Sequence, residues 1–139
     1  MNKSLTAKKI KMKILLIHQY FLQKNGSGGS RFNEMVRVWS EQGNDVTVLS
    51  GMIYHNSGKK YIEFKGKVFA EEFHSEKVRV IRCHDSEGGQ NNFFARLRVY
   101  FVFVLTSMWA GVFKAKGKYD IIIVTSPPLF VGITAYFLS

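Results

Sequence analysis

The sequence predicts an α/β fold in which an open parallel sheet is flanked by helices. Residues 14–17 form a continuous apolar run, followed by a glycine-rich stretch and an amphipathic run that ends at Gly43. Further apolar runs at residues 46–49 and 121–125 have the length and composition of strands. Because strands that alternate with helices form parallel sheets, these segments together indicate a Rossmann-like arrangement.

The first strand and helix have the most regular pattern. Residues 14–17 predict a central strand that is buried on both faces. A loop over residues 22–29 leads into a helix that begins at a Gly29 or Ser30 N-cap and ends at Gly43. Apolar residues recur along this helix at intervals of three and four, which places them on one face. They are Phe32, Met35, Val36 and Trp39.

The middle of the chain is less regular. A strand over residues 46–49 completes a βαβ unit with a right-handed crossover. Residues 51–76 mix spaced glycines with alternating apolar and charged positions, so we predict loops with one short hairpin. Residues 78–82 alternate as a third strand would, and the polar residues 84–92 indicate a loop.

The last part of the sequence contains its longest apolar segment. Phe93–Phe113 predicts a helix that ends at residues 116–118, which are Lys-Gly-Lys. Residues 121–125 predict a strand, and the prolines at 127 and 128 break it. A final helix is expected over residues 129–138.

We predict one domain over residues 12–139, preceded by a disordered extension over residues 1–11. The basic start of the chain is followed by an apolar run that is too short for a signal peptide. The final apolar run has no terminating signal, so we expect the domain to be incomplete at its C-terminus. Cys83 has no cysteine partner, which favours a reducing compartment and a role as a small core residue.

The formal net charge of +10 favours anionic partners such as nucleic acid, acidic lipid or phosphorylated ligands. The cations are spread along the chain, and solvated faces are the simpler explanation for the clusters near the N-terminus and at residues 59–67. The four histidines lack the spacing of metal ligands, so we predict no metal site. They are His18, His55, His74 and His84.

A glycine-rich loop follows the first strand. Gly26, Gly28 and Gly29 allow a ligand to approach the backbone closely, next to helix amides that attract phosphate groups. The spacing fits neither the dinucleotide fingerprint nor a P-loop, so a merely flexible turn is the alternative. Ser30 starts the helix, and Arg31 is either a cationic partner for an anion or a surface arginine.

Two further residues are expected beside this loop. His18 follows the first strand and Ser126 follows the strand over residues 121–125, and ligands of open α/β sheets bind outside such strand ends. A hydrogen-bonded structural role for His18, and simple strand termination at residues 126–128, are the alternatives.

The helix Phe93–Phe113 is bracketed by cations. Its apolar core is shorter than the length needed to span a bilayer, and its aromatic residues suit the headgroup boundary. The alternatives are a buried helix on the sheet, a helix lying on an anionic membrane, or a hybrid with one face on each. The predicted membrane-surface residues are Arg96, Arg98, Tyr100, Trp109, Lys114, Lys116 and Lys118.

Four segments together resemble the N-terminal half of family 4 retaining glycosyltransferases, especially the bacterial branch that builds capsule, O-antigen and exopolysaccharide. The fourth is fairly specific to that branch. The segments are residues 13–21 (KILLIHQYF), 26–31 (GSGGSR), 39–43 with 46–50 (VTVLS), and 119–132 (YDIIIVTSPPLFVG).

The resemblance implies a GT-B architecture, in which two Rossmann-like domains face each other across a cleft. This chain then corresponds to the acceptor-side domain, whose acceptor in this branch is commonly a polyprenyl-diphosphate-linked sugar. The nucleotide sugar is bound mainly by the C-terminal domain, and no metal or other cofactor is expected. The loop near the donor diphosphate maps onto Gly28 and Gly29, and less directly onto Gly26.

The sequence given lacks the family's Glu-x7-Glu donor motif and its catalytic residue, which are expected beyond Ser139. We therefore expect a fragment that is inactive alone. The resemblance also implies a cytoplasmic location, peripheral on the inner face of the plasma membrane.

A non-catalytic basic α/β module that binds nucleic acid or another polyanion is the alternative function. The sequence offers no aromatic-basic RNA motif and no recognition-helix signature, so nucleic acid is not the expected partner. A nucleotide-cofactor oxidoreductase domain is disfavoured by the imperfect glycine fingerprint.

Overall fold

The structure is a computed structural model that describes residues 10–24, 26, 30–54, 56–88, 92–125 and 131–139. It contains a five-stranded sheet with helices on both faces. The elements in chain order are β1 (Lys13–Ile17), α1 (Arg31–Glu41), β2 (Asp45–Gly51), a 3₁₀ turn (Ile62–Phe64), β3 (Phe69–Ser75), β4 (Val78–Cys83), α2 (Phe93–Phe113), β5 (Ile121–Val124) and α3 (Val131–Leu138).

The strand order is β3-β4-β2-β1-β5, and the α/β fold predicted from the sequence is confirmed. Strands β4, β2, β1 and β5 are parallel, whereas β3 is an edge strand that pairs antiparallel with β4. The sheet is therefore mixed: the predicted parallel arrangement is confirmed for β4, β2, β1 and β5, whereas β3 at the edge departs from it. The strand was missed because an edge strand buries little, so its sequence FAEEFHS is largely polar.

Both faces of the central strands are buried, which explains why β1 is apolar at every position after Lys13. Leu15 and Ile17 face one core cluster, which α2 covers through Phe103 and Val104. The other cluster is covered by α1; its members include Ile14, Leu16, Val36, Val46, Val48, Val78 and Val80. Cys83 is fully buried, as predicted, and burial raises the pKa of its thiol.

Helix α1 confirms the predicted amphipathic helix almost to its ends. Ser30 is the N-cap residue in an extended conformation, and Gly43 follows the helix with a φ of 97°. On the solvent face, Arg37 pairs with Glu34 and Glu41 at 2.8 and 2.7 Å. Such exposed pairs stabilise a helix only slightly.

Helix α2 packs one face on the sheet and leaves the other exposed. Val99, Phe103 and Ala110 are buried against the core. Thr106 Oγ1 donates to the His84 carbonyl at 2.6 Å, just after the end of β4. The helix thus meets the carboxyl edge of β4 near its own middle.

A buried arginine links the ends of four strands. Arg82 in β4 is fully buried, and its Nη1 donates to the Phe21 carbonyl at 2.5 Å, to Ser50 Oγ at 3.1 Å and to the Gly51 carbonyl at 3.3 Å. Its Nη2 lies 3.0 Å from Glu72 Oε2 in β3. Burial raises the pKa of Glu72, but the hydrogen bond from His74 and the charge of Arg82 hold that pKa below its usual value.

We predict that the pair Arg82–Glu72 is strongly coupled energetically. Arg82→Met leaves the partly buried Glu72 carboxylate and three acceptors without their donor. We expect a cost toward the lower end of the about 3–5 kcal/mol that is typical of fully buried pairs. The coupling with Glu72→Gln is measured in a double-mutant cycle from the free energy of unfolding in urea.

The pair Arg79–Glu71 is the matched control, because it joins the same two strands at 3.0 Å but is about one-third exposed. Its coupling should be below about 1 kcal/mol. Equal coupling energies for the two pairs would show that the burial of Arg82 does not strengthen its interaction with Glu72.

Candidate functional site

The parallel strands all end at one edge of the sheet, and the chain changes direction there between β1 and β5. From β1 the chain passes through α1 to β2 on one side, while β5 lies on the other side of β1. Open α/β sheets bind ligands outside the carboxyl ends of strands at such a switch point. We call this place the β1/β5 end, and it includes His18, Thr125 and the start of α1.

His18 and Thr125 meet at the β1/β5 end. His18 Nδ1 and Thr125 Oγ1 are hydrogen-bonded at 2.6 Å, and the Thr125 amide donates to the Ile17 carbonyl at 3.1 Å. The His18 ring also contacts the Phe32 ring of α1, with centroids 4.4 Å apart. The His18 side chain is thus hydrogen-bonded to Thr125, a partner that the sequence did not predict.

Of the remaining residues predicted for this place, the structure describes Gly26, Ser30 and Arg31. Ser30 makes no side-chain capping bond, so its hydroxyl does not occupy the first amides of the helix. Arg31 is exposed, and the Gly26 amide donates to the Gln23 carbonyl at 2.9 Å. Gly28, Gly29 and Ser126 lie outside the described residues.

A buried polar group lies next to this edge, between the ends of β2 and β4. Asp85 is fully buried, its Oδ1 accepts from the Met52 amide at 3.0 Å, and its Oδ2 has no hydrogen-bond partner within the described residues. A Cβ on Gly51 would collide with this carboxylate, so glycine is required there. Gln19 is almost fully buried nearby, and its carbonyl accepts from the Gly51 amide at 2.8 Å.

Burial raises the pKa of Asp85 to about 6, although the Met52 amide and the neighbouring Gln19 carboxamide lower it. This burial could not be predicted, because Asp85 lies in a polar segment whose sequence indicates an exposed loop. A carboxylate with a raised pKa and an unpartnered oxygen is the kind of group that functional sites retain.

The predicted membrane-surface residues are not all on one side of α2. Arg98 and Trp109 lie on the exposed face, whereas Tyr100 is half-buried. Burial and, to a smaller extent, the nearby Tyr100 raise the pKa of Tyr20 to about 12. Trp109 stacks on Phe69 with centroids 4.7 Å apart, and Lys114 lies over the same ring at 5.6 Å. Arg96, Lys116 and Lys118 are exposed.

The exposed face of α2 carries an apolar stripe, which we define as Phe94, Phe101, Leu105, Trp109 and Val112. These residues follow one another at intervals of three to seven positions, on the side opposite the buried residues. Phe94 is 77% exposed and Phe101 is 58% exposed. By length and composition α2 could cross a membrane, but 28% of its apolar window is already buried in the fold.

Within the part of the chain that the structure describes, no group of three or more His, Cys, Asp or Glu residues is placed to hold a metal ion. No protein-family model matches the chain, and no curated protein or solved structure matches it either. The resemblance seen in the sequence segments stays a prediction.

We predict that Asp85 makes the stability of the fold depend on pH. Its pKa is raised on folding from 3.8 to about 6. The stabilisation from the protonated form is therefore fully present below pH 3.8 and is lost as pH rises through about 6. Two pKa units correspond to about 3 kcal/mol.

Asp85→Asn keeps the acceptor for the Met52 amide but cannot ionise. The free energy of unfolding of the original protein should fall relative to this variant between pH 4 and pH 7, as measured in urea. Glu76→Gln, in the exposed turn between β3 and β4, is the control. A constant difference between the original protein and Asp85→Asn over this range would contradict the prediction.

Proposed function

We propose that this chain is the acceptor-side domain of a nucleotide-sugar-dependent, retaining glycosyltransferase of GT-B type that acts on a lipid-linked saccharide in surface polysaccharide biosynthesis. The observation that supports this most is the β1/β5 end. The strand order changes there, and His18 and Thr125 meet beside the start of α1. A substrate with a diphosphate would find backbone amides and hydroxyl or imidazole groups at one place.

The proposed chemistry needs charge stabilisation at a departing diphosphate. The amides at the start of α1 point toward the carboxyl edge, and the helix dipole adds a partial positive charge there. Gly28 and Gly29 in the preceding loop would let the diphosphate approach these amides, and Arg31 would add a cation. Interactions that strengthen as the leaving group gains charge accelerate the reaction itself.

The second part of the proposal is peripheral binding to an anionic membrane, where a lipid-linked acceptor would be found. The apolar stripe of α2 supports it, because Phe94, Phe101 and Leu105 are each at least half exposed. Exposed contiguous apolar surface marks interaction sites in soluble folds. Arg96 and Arg98 near the start of the helix and Lys114, Lys116 and Lys118 after it would face acidic headgroups.

Sugar transfer tests the first part of the proposal. We expect the natural full-length protein to transfer sugar from one member of a panel of nucleotide sugars to a polyprenyl-diphosphate-linked acceptor. A Gly28→Val, Gly29→Val variant should lose about 100-fold in kcat, since removing one such stabilising contact costs 10²–10³-fold.

Ser27→Val is the matched control for that variant, because it adds the same side chain within the same loop. It should retain most of the activity, and thermal unfolding should show that both variants fold. An unchanged rate in the double glycine variant would remove the loop from the mechanism, and absence of transfer from every donor would contradict the proposed activity.

Vesicle flotation tests the second part. Phe101→Ser, Leu105→Ser should lower the recovery with anionic vesicles, because each large apolar side chain contributes about 1.5–3 kcal/mol when fully buried. Ile62→Ser, Phe73→Ser is the control, since both side chains are exposed but lie outside α2. Equal recovery with neutral and anionic vesicles, or equal losses in both variants, would argue against the proposed surface.

A further inference from the structure

A cavity opens at the carboxyl edge of the sheet, beyond the end of β4. Its volume is about 650 Å³, and its lining includes Lys60, Lys65, His84, Glu87 and Arg98. Neither His18 nor Thr125 lines it, so it is separate from the β1/β5 end. The carboxyl edge of the sheet therefore contains two candidate sites, the β1/β5 end and this cavity.

Three different segments bring the cations to this cavity. Lys60 is fixed by a β-bridge to Ile53, and its amide donates to Glu87 Oε1 at 2.7 Å. Lys65 follows the 3₁₀ turn and precedes Gly66, whose φ of 75° turns the chain. Arg98 comes from α2, and its Nη2 lies 3.4 Å from the Glu87 carbonyl.

The cavity is lined by the cations Lys60, Lys65 and Arg98 and also by two carboxylates, Asp85 and Glu87. Within the described residues, none of Lys60, Lys65 and Arg98 lies within ion-pair distance of an Asp or Glu side chain, whereas the buried Arg82 is paired with one. The Glu87 carboxylate is engaged by a backbone amide instead. Unpaired cations around one concave surface attract anions.

His84 does not add to this charge, but it helps to position one of the cations. Lys60 Nζ lies 2.8 Å from His84 Nδ1, and an ammonium group can only donate to that nitrogen. Burial and the charge of Lys60 lower the pKa of His84, against the Lys67 carbonyl, which raises it. The imidazole is therefore neutral and holds the Lys60 ammonium at the cavity.

The cavity also adjoins the apolar stripe of α2. Arg98 lies four positions after Phe94 and three before Phe101, so these residues share one face of the helix. A ligand held by Arg98 through an anionic group would have its nearest apolar contacts along this stripe. That combination matches an amphiphile with a charged head and a hydrocarbon tail.

We propose that the cavity lined by Lys60, Lys65 and Arg98 binds the phosphoryl group of a phosphorylated lipid, whose hydrocarbon part lies along the apolar stripe of α2. Phosphoryl oxygens accept several charge-assisted hydrogen bonds at once, which three separate cations can supply. The choice of a lipid rests on the function proposed above, whereas the phosphoryl site does not.

The first arm of the test uses inorganic pyrophosphate and isothermal titration calorimetry. Lys60→Gln, Lys65→Gln should raise the Kd by about tenfold or more, because hydrogen bonds to charged groups are the strong ones. Lys59→Gln, Lys67→Gln is the matched control, since it removes the same charge from neighbouring positions that do not line the cavity. It should change the Kd by less than about threefold, as expected for long-range screening.

The second arm uses vesicles that contain either phosphatidic acid or phosphatidylserine at equal surface charge. The original protein and the Lys59, Lys67 variant should prefer phosphatidic acid, and the Lys60, Lys65 variant should lose that preference. If both double variants lost pyrophosphate affinity and the preference for phosphatidic acid to the same extent, binding would depend only on the overall charge. That result would overturn the proposed site.

Pyrophosphate binding without any preference for phosphatidic acid would overturn the lipid as ligand and leave a site for soluble phosphates. These outcomes are independent of sugar transfer, which depends on the loop at the β1/β5 end. Absence of sugar transfer and absence of phosphate binding in the cavity can thus be distinguished experimentally.

Discussion

The buried side chain of Arg82 is the interaction on which the carboxyl edge of the sheet depends. It extends from β4 to the backbone after β1 and at the end of β2, and to Glu72 in β3. Parallel strands share no hydrogen bonds beyond their ends, so the loops that follow them need another constraint. Arg82 supplies one, since its donors can be satisfied only when these loops lie at fixed positions.

Arg82 and Asp85 are both buried and lie three positions apart, but they differ in how the cost of burying their charge is offset. A charge removed from water is tolerated when ion pairing and hydrogen bonds replace its hydration. Arg82 has both, and its guanidinium also lies 5.7 Å from the Phe64 ring centroid. Burial disfavours the ionised form of Asp85, and the hydrogen bond from the Met52 amide offsets this only in part. The same edge of the sheet thus combines a buried charge that has an ion-pair partner with a buried carboxyl group whose charged form is disfavoured.

The sequence was sufficient for those elements whose periodicity is set by burial. β1 and α1 have patterns that only a two-sided strand and an amphipathic helix produce, and both appear within one or two residues of their predicted bounds. α2 was predicted over the observed range, because a long apolar segment between polar loops has few other solutions. β3 was not predicted as a strand, because an edge strand with one exposed side lacks a pattern of apolar residues that is set by burial.

The candidate site was less predictable, for a physical reason. His18 was singled out by its place at the end of β1, a local feature, and it lies where expected. Its partner Thr125 is 107 positions away, and only strand pairing between β1 and β5 brings them together. Lys60, Lys65 and Arg98 likewise meet through the tertiary fold, and as sequence they are scattered cations. The burial of Arg82 and Asp85 also could not be predicted from the sequence, because it results from tertiary contacts.

The topology itself makes the carboxyl edge attractive to anions. A helix that directly follows a parallel strand starts at the edge where that strand ends, so the positive end of its dipole lies there. α1 follows β1 in this way, whereas α2 contacts the end of β4 through Thr106, well after its own start at Phe93. Backbone dipoles carry no selectivity, however, since they act on any anion.

Selectivity must come from side chains with defined positions, and the described part of this edge offers two sets, the His18–Thr125 pair and the three cations beyond β4. The first set has neutral hydrogen-bonding groups beside helix amides, which suits a group whose charge changes during a reaction. The second has permanent charges beside an apolar helix face, which suits a group that stays charged while it is held.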